Sequence, residues 1–379
     1  MRKVVFILLI ILLNGLFAAN DFFDPKNFKQ TKKEAQKGNS EAQYSLGLMY
    51  YNGKDILKNP KKAFYWYEKS AKQGHAKAQN NLGMMYRKGK GTLKDFKKAF
   101  YWYEKSAKQG HVEAQFNLGL MYYSGKGTLQ DLKKAFYWTK KSAKQGDVGA
   151  QYNLGLMYNN GKGILKDPKK ALYWYEKSAK QGDVKAQHNL AIMYHNGRGT
   201  LKNLKKAFYW YEKSAKQGHA KAQNNLGIMY RTGEGTLKDF KKAFYWTKKS
   251  AQQGDATAQN NLGIMYLTGE GTLKDFKKAF YWYEKSAQQA HPSAQYNLGF
   301  MYQNGKGTLK DFKKAFYWYE KSAKQGDASA QYNLGIMCIY GEGTLVDKKR
   351  AAYWIEQAYK NNYPKAQRIW NKYELWKYK

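Results

Sequence analysis

The chain has 379 residues, and its 67 Lys and Arg against 28 Asp and Glu give a net charge of +39. Because 43% of the residues are hydrophobic and 17% are aromatic, the composition excludes a disordered basic tail, which would be poor in both. The single cysteine excludes an intramolecular disulfide framework and a cysteine-rich zinc site. Side-chain packing must therefore stabilise the fold.

The first residues have the pattern of a secretory signal peptide. Arg2 and Lys3 precede an apolar run at 4–13, and the small residue Ala19 lies at a suitable cleavage position. The run is shorter than the ~20 residues that a membrane-spanning helix needs. We therefore expect residues 1–19 to be removed and the mature chain to be exported, periplasmic or secreted, with no membrane span. The alternative is an uncleaved anchor.

The rest of the chain repeats with a period of 36 residues. The string at 42–50 recurs at this spacing to 330–338, and Trp66 recurs in the same way to Trp354. Self-similarity at a fixed period predicts a repeat array. We therefore predict nine repeats over residues 39–362, preceded by a linker and capping helix at 20–38 and followed by a capping helix at 363–379.

Each repeat has the pattern of two helices. In the copy at 75–110, the apolar residues of 76–88 lie on one helical face. Asp95 stands where an N-cap is needed, and Gly110 stands where a left-handed residue ends a helix. The fold class is therefore all-α, an α/α solenoid.

A glycine recurs in the middle of the first helix, as at Gly47 and Gly83. Glycine in a helix interior costs roughly 1 kcal/mol relative to alanine. The repeated cost indicates that a neighbouring helix approaches closely, and we expect the approach from the face that carries the tryptophan. Ala191 holds this position in one copy, so a methyl group is tolerated there.

From Ala78 to Gly110 the chain reads Ala-x-x-x-Leu-Gly-x-x-Tyr-x-x-Gly-x-Gly-x-x-x-Asp-x-x-Lys-Ala-x-x-Trp-Tyr-x-Lys-Ser-Ala-x-x-Gly. This pattern resembles the Sel-like repeat family, a relative of the tetratricopeptide repeat. The resemblance implies a right-handed superhelix whose first helices line a concave groove, and an adaptor function. An exported, cysteine-rich branch includes members described as penicillin-binding or β-lactam-hydrolysing, so β-lactamase is the alternative function. This chain lacks that branch's cysteine pairs.

Two positions vary on one face of the first helix, those equivalent to residues 44 and 51, which are seven residues apart. On a scaffold of fixed spacing, a varied row of aromatic, amide and basic side chains suits a groove that binds a protein, a peptide or a cell-wall component. The alternative is drift at exposed positions. The candidate groove residues are Tyr44, Tyr51, Asn80, Arg87, Phe116, Tyr123, Tyr152, Asn159, His188, His195, Asn224, Arg231, Asn260, Tyr296, Gln303 and Tyr332.

Two amides also recur in the first helix, at the positions of Gln43 and Asn81. An amide has both donors and an acceptor, so these side chains can bridge neighbouring repeats or bind the backbone of a peptide. We expect bridging, because buried amides are normally satisfied within the protein.

The second helix carries most of the charge. Lys97, Tyr101, Lys105 and Lys108 share one side of it. The repeats thus predict a basic outer face, which either keeps the array soluble or binds polyanions and acidic surfaces. Export argues against nucleic acid as a partner.

No catalytic set emerges from the sequence. The serine β-lactamase motifs and the His-Glu-x-x-His zinc motif do not occur. His188 and His195 are two helical turns apart, too far for one metal ion, and Cys338 replaces a packing tyrosine, which predicts an inert buried thiol. His75 and its equivalents stand at helix entries, where capping is the expected role. We therefore predict a non-enzymatic scaffold without a cofactor or metal.

Overall fold

The structure is a computed structural model that describes residues 25–53 and 56–379, with side chains from residue 28 onward. The predicted signal peptide, residues 1–19, and the start of the predicted linker lie outside the described residues. Within the described ranges the chain forms twenty α-helices and one short 3₁₀ helix, and no strand. The all-α prediction is confirmed.

Nine helical pairs follow one another along the chain, and each helix of a pair has 13 residues. The even-numbered helices α2 to α18 are the first helices of the repeats, and the odd-numbered helices α3 to α19 are the second helices. The bounds are α1 Pro25–Gln36, α2 Ser40–Asn52, α3 Pro60–Lys72, α4 Ala76–Lys88, α5 Phe96–Lys108, α6 Val112–Ser124, α7 Leu132–Lys144, α8 Val148–Asn160, α9 Pro168–Lys180, α10 Val184–Asn196, α11 Leu204–Lys216, α12 Ala220–Thr232, α13 Phe240–Gln252, α14 Ala256–Thr268, α15 Phe276–Gln288, α16 Pro292–Asn304, α17 Phe312–Lys324, α18 Ala328–Tyr340, α19 Lys348–Lys360 and α20 Ala366–Lys372. The 3₁₀ helix is Leu375–Tyr378.

The chain divides into two compact units, one up to Lys177 and one from Ser178. We call them the N-terminal unit and the C-terminal unit. Helices α1 to α8 each pack against their neighbours in chain order, and helices α10 to α20 do the same. Each unit is therefore built from contacts between neighbours, as in a repeat array.

The loop between the two helices of a repeat is fixed at both ends. Helix α4 ends at Gly89, which has a φ of 67°, and the amide of Asp95 donates to the carbonyl of Tyr86 at 3.0 Å. The Asp95 carboxylate then caps helix α5 by accepting from the amide of Lys98 at 2.9 Å. The predicted N-cap is confirmed.

Histidines cap several first helices, as expected from their position. Nδ1 of His75 accepts from the amide of Ala78 at 3.2 Å, and Oδ1 of Asp147 accepts from the amide of Ala150 at 2.6 Å. The imidazole and the carboxylate thus accept the same capping hydrogen bond at equivalent positions, which explains why the two residue types alternate there.

The mid-helix glycine makes room for a tyrosine of the second helix. A Cβ on Gly83 would lie 2.9 Å from Cδ1 of Tyr103 and 3.2 Å from the carbonyl oxygen of Ala99. The predicted close approach is confirmed, but the expectation that the tryptophan face makes it is wrong. The ring of Tyr103, the residue after Trp102, covers the glycine, because helical geometry turns neighbouring residues about 100° apart.

The recurring glutamine joins neighbouring repeats, as predicted. Nε2 of Gln79 donates to the carbonyl of Ala71 in the preceding repeat at 3.1 Å, while its Oε1 accepts from Nε2 of Gln109 at 2.7 Å. Gln79 is 3% exposed, and its bond to the Ala71 carbonyl is buried. A buried amide whose donor and acceptor are both used stabilises the stacking instead of binding a ligand.

Candidate functional site

The candidate site is the row of side chains at the positions of residues 44 and 51, which we call the first-helix stripe. Its inner position, equivalent to residue 44, is half-buried or buried in all nine copies, and His188, Asn224 and Asn260 are less than 9% exposed. Its outer position, equivalent to residue 51, is more open, with Tyr123 42% exposed. The stripe therefore offers its outer position to a partner more than its inner one.

The inner position contacts the following repeat. Rings stack at centroid separations of 4.7 Å between Tyr44 and His75 and 4.6 Å between Tyr332 and Tyr363. Where the inner residue is Asn260, its Oδ1 accepts from Nδ2 of Asn297 at 3.0 Å. The recurring asparagine thus also bridges repeats, as predicted.

His188 is a member of this inner row. Its ring lies 4.7 Å from the ring of His219, and Asn225 is within hydrogen-bond distance at 3.3 Å. Burial, aided by the nearby cationic form of His219, lowers the pKa of His188 to about 4. The imidazole is therefore neutral at physiological pH, and its partners are those of a packing residue.

The outer position contacts the loop of the following repeat in the C-terminal unit. Nε of Arg231 lies 2.6 Å from Oε2 of Glu270, and Nε2 of His195 lies 3.0 Å from Oε2 of Glu234. Gln303 reaches the loop of its neighbour through Glu342 in the same way, at 3.4 Å. The charge of Arg231 is thus neutralised inside the unit.

The N-terminal unit has lysine at the same loop position. Lys90, Lys126 and Lys162 hold this position, where the repeats of the C-terminal unit have Arg198, Glu234, Glu270, Lys306 and Glu342. These three lysines are exposed, and none of them forms an ion pair with a described residue. The N-terminal unit therefore presents positive charge along the stripe that the protein itself does not neutralise.

Arg87 adds to this positive charge. Two hydrogen-bond donors at this position, one on Arg87 and one on Tyr103, have no acceptor among the described residues. Nε of Arg87 and the hydroxyl of Tyr103 are buried and find no hydrogen-bond partner among the described residues. At the equivalent positions in the C-terminal unit, the hydroxyl of Tyr319 donates to Oε1 of Gln303 at 2.8 Å. Because arginine has no acceptor atom, the hydroxyl of Tyr103 cannot donate a hydrogen bond to Arg87.

A cavity of about 240 Å³ opens on the stripe between the third and fourth repeats. Thr139 lines it, at the position where five other repeats place a buried tyrosine over the mid-helix glycine. The lining is mostly apolar and includes two amides and one ammonium group. The lining residues are Gly119, Leu120, Tyr123, Thr139, Asn153, Leu156, Met157, Asn160 and Lys162.

The predicted outer face of the second helix is exposed. Tyr101 is 47% exposed, and Nζ of Lys105 lies 4.7 Å from the centroid of its ring. The ring also meets Trp102 edge-on at 5.0 Å. Lysine and tyrosine thus cover the tryptophan, and the basic outer face that we predicted is present.

The candidate catalytic and metal-binding residues, Cys338, His188 and His195, contact other residues of the protein. Cys338 is fully buried, and burial raises the pKa of its thiol to about 11. His188 and His195 contact different partners, and within residues 25–53 and 56–379 no group of three metal-ligating side chains occurs. The residues that we singled out therefore form no catalytic arrangement.

Nine consecutive segments of the chain match the Sel1 repeat, at residues 40–75, 76–111, 112–147, 148–183, 184–219, 220–255, 256–291, 292–327 and 328–363. The chain belongs to the Sel1 repeat family. Sel1 repeats generally mediate contacts between proteins. The predicted family and its repeat fold are confirmed, whereas nothing in these matches supports a β-lactamase.

Two solved structures are similar to this Sel1 repeat protein. A protective antigen of uropathogenic Escherichia coli with an SLR fold is 34% identical over 87% of this chain and 79% of that chain, with a TM-score of 0.76. A Sel1 repeat protein from Oxalobacter formigenes is 32% identical over 83% of this chain and 92% of that chain, with a TM-score of 0.63. No curated protein matches the chain at a significant level.

Among the residues that the structure describes, no helix has the length and apolar character that crossing a bilayer requires.

Proposed function

We propose that this protein is an exported, non-enzymatic scaffold whose first-helix stripe binds a segment of another polypeptide. Membership of the Sel1 repeat family supports a protein partner. The basic and apolar start of the sequence supports export, and so does the likeness to a protective antigen. The repeats supply a surface of regular spacing, and the side chains on the stripe supply the selectivity.

The charge of the N-terminal unit favours an acidic segment. Arg87 on the stripe and Lys126 and Lys162 in the adjoining loops carry positive charge without a carboxylate partner among the described residues. Carboxylates of a partner would form charge-assisted hydrogen bonds with these groups. Complementary charge also speeds encounter and disfavours basic partners.

The cavity beside Thr139 carries the proposal, because its shape suits one aromatic side chain. In the second repeat the ring of Tyr103 lies on Gly83, and in the third repeat the ring is missing above Gly119. A partner's aromatic ring would take the place that tyrosine takes elsewhere in the array. Aromatic side chains that fill a pocket are the usual anchors of protein interfaces.

The test is Thr139→Tyr, a change that restores the residue found in most repeats and so should keep the fold. The probe is a short fluorescent peptide with acidic residues on both sides of one phenylalanine, and binding is followed by anisotropy. We expect Thr139→Tyr to weaken binding by about tenfold or more, because the ring fills the cavity. Replacing the phenylalanine of the peptide by alanine should cause a similar loss.

Thr247→Tyr is the matched control, because Thr247 faces Gly227 in the C-terminal unit as Thr139 faces Gly119. We expect this variant to bind the peptide like the wild type. The proposal that an aromatic side chain of the peptide fills the cavity would be wrong if Thr139→Tyr bound the peptide with wild-type affinity. It would also be wrong if both threonine variants lost the same affinity.

Arg87→Gln tests the charged part of the stripe. Glutamine at this position would accept from the hydroxyl of Tyr103, as Gln303 accepts from Tyr319. We expect weaker binding of the acidic peptide and a shallower salt dependence, because one charge pair is lost. Arg231→Gln is the control, since Glu270 already neutralises Arg231, and it should leave peptide binding unchanged.

Export is tested on the complete chain expressed in a Gram-negative host. We expect the protein outside the cytoplasm with Asn20 as its first residue, because residues 1–19 have the signal pattern. A cytoplasmic protein that keeps its first nineteen residues would contradict export and leave the stripe proposal standing.

A further inference from the structure

Every repeat displays an almost fully exposed leucine in the loop between its two helices. These leucines are between 86% and 93% exposed, whereas the tyrosines of the outer face are about half-exposed. The leucines are Leu57, Leu93, Leu129 and Leu165 in the N-terminal unit, and Leu201, Leu237, Leu273, Leu309 and Leu345 in the C-terminal unit. Single exposed leucines are common on proteins, but a leucine at the same exposed place in every repeat forms a row along each unit.

Lysine follows the leucine in seven of the nine loops. These lysines are exposed, and none forms an ion pair with a described residue. They are Lys58, Lys94, Lys166, Lys202, Lys238, Lys274 and Lys310. The exposed row therefore combines apolar side chains with positive charge. We call it the leucine-lysine edge.

The loops that carry this edge are held in place. A Cβ on Gly91 would lie 2.2 Å from the carbonyl oxygen of Pro60, so the loop packs directly on the preceding repeat. The hydrogen bond from Asp95 to Tyr86 closes the loop on the other side of Leu93. Presenting the leucine costs little further ordering, which favours binding.

The edge differs from the first-helix stripe in one respect that bears on its partner. Leucine recurs unchanged in all nine loops, while the outer stripe position changes from Tyr51 to Arg87 to Tyr123 and onward. A varied row suits one particular sequence of side chains. An unvaried row suits a partner whose surface is chemically the same at every point, and a lipid bilayer is such a surface.

We propose that the leucine-lysine edge binds the surface of a membrane that contains anionic lipids. The leucines would enter the boundary between headgroups and acyl chains, and the lysines would contact lipid phosphates. The net charge of +39 adds long-range attraction to the same surface. This binding leaves the protein on the membrane and not across it, and it does not depend on the peptide site on the stripe.

The test is flotation of the full processed chain with vesicles of phosphatidylethanolamine and phosphatidylglycerol, compared with vesicles of phosphatidylcholine alone. We expect the anionic vesicles to bind the protein at least about tenfold more strongly. Changing the four N-terminal leucines, Leu57, Leu93, Leu129 and Leu165, to serine should weaken binding by about tenfold or more, because apolar insertion is lost. Their exposure predicts that circular dichroism and thermal stability stay unchanged.

A lysine variant of the outer face is the control. Changing Lys97, Lys105, Lys133 and Lys141 to glutamine lowers the net charge but leaves the leucines, so a smaller loss is expected. The proposal fails if the wild type does not bind anionic vesicles. It also fails if the leucine variant binds like the wild type while the lysine variant does not, which would assign the binding to the outer face.

A fluorescent label shows which part of the protein enters the lipid. Leu93→Cys can be labelled selectively with an environment-sensitive dye, because Cys338 is buried and its thiol has a raised pKa. We expect a blue shift of the dye at residue 93 on anionic vesicles and none at Lys105→Cys. The reverse result would overturn the assignment.

Discussion

In the C-terminal unit, Arg231 and His195 meet glutamates from the loop of the next repeat, whereas in the N-terminal unit Arg87 is followed by Lys126 at the corresponding place. The helices of the two units have the same length and the same pattern of caps. The fold therefore does not require either charge pattern, and the difference is free to serve binding. Three glutamates occur at this loop position in the C-terminal unit, beside Arg198 and Lys306, whereas the N-terminal unit has only lysine there. This difference is what a stripe with one acidic ligand site would show.

The largest expected effect on stability comes from a substitution in the core of the N-terminal unit. Gly83→Leu would drive a side chain into Tyr103 and the Ala99 carbonyl, and we expect a loss of about 4 kcal/mol through overpacking. Because stability in repeat arrays is largely local, hydrogen exchange should show lost protection in the N-terminal unit and retained protection beyond Ser178. Gly83→Ala is the milder control, since Ala191 holds the same position.

Acid should act on the C-terminal unit through His188. Its folded pKa of about 4 is below the unfolded value of about 6.5, so folding favours the neutral ring. The contribution is complete above about pH 6.5, is lost as the pH falls toward 4, and amounts to about 3 kcal/mol. Lys221 and His219 lie close enough to add to the effect.

His188→Tyr checks this acid effect, because tyrosine occupies the same position at Tyr152 and Tyr296. Thermal unfolding measured between pH 7 and pH 4 should show a smaller loss of stability in the variant than in the wild type. Equal pH dependence of the two proteins would contradict the assignment to His188.

Lys126→Glu converts the N-terminal unit to the pattern of the C-terminal unit. The new carboxylate would face Arg87 as Glu270 faces Arg231, so stability should rise by up to about 1 kcal/mol. Binding of the acidic peptide should fall, because the stripe loses a cation and gains an anion. Lys133→Glu, on the exposed side of a second helix, makes the same change in net charge and should leave peptide affinity nearly unchanged.

The smallest effect concerns a joint in the C-terminal unit. Ala290 has a φ of 62°, in the left-handed region where seven other repeats place glycine and the last places Asn362. Ala290→Gly should stabilise by about 0.5–1 kcal/mol, because relief of the left-handed strain exceeds the added chain entropy. Gly254→Ala should cost a similar amount at an equivalent joint, and thermal melts of both variants check the pair.

Much of the fold follows from the sequence because its determinants are local. The period, the cap at Asp95 and the glycine at Gly83 each express a requirement of one helix or one turn. Which side chain of the second helix covers Gly83 does not follow from the sequence, because the rotation of that helix about its own axis depends on contacts along its whole length. The bridging amides were predictable, since a buried amide needs partners.

The candidate site was harder to predict because its properties depend on how repeats stack. Contacts such as the one between Arg231 and Glu270 join residues that are far apart in sequence, and their pairing follows from the stacking alone. Two features of the sequence do point to these surfaces. Thr139 interrupts a row of tyrosines, and Leu93 is an unvaried apolar residue in a polar loop.

The most direct test of the central claim is to map where the acidic peptide binds. A benzophenone group in place of its phenylalanine would cross-link to the nearest side chains on irradiation, and mass spectrometry would identify them. We predict cross-links to Leu120, Leu156 and Met157, which line the cavity beside Thr139. Cross-links confined to the outer lysines, or to residues beyond Ser178, would contradict it.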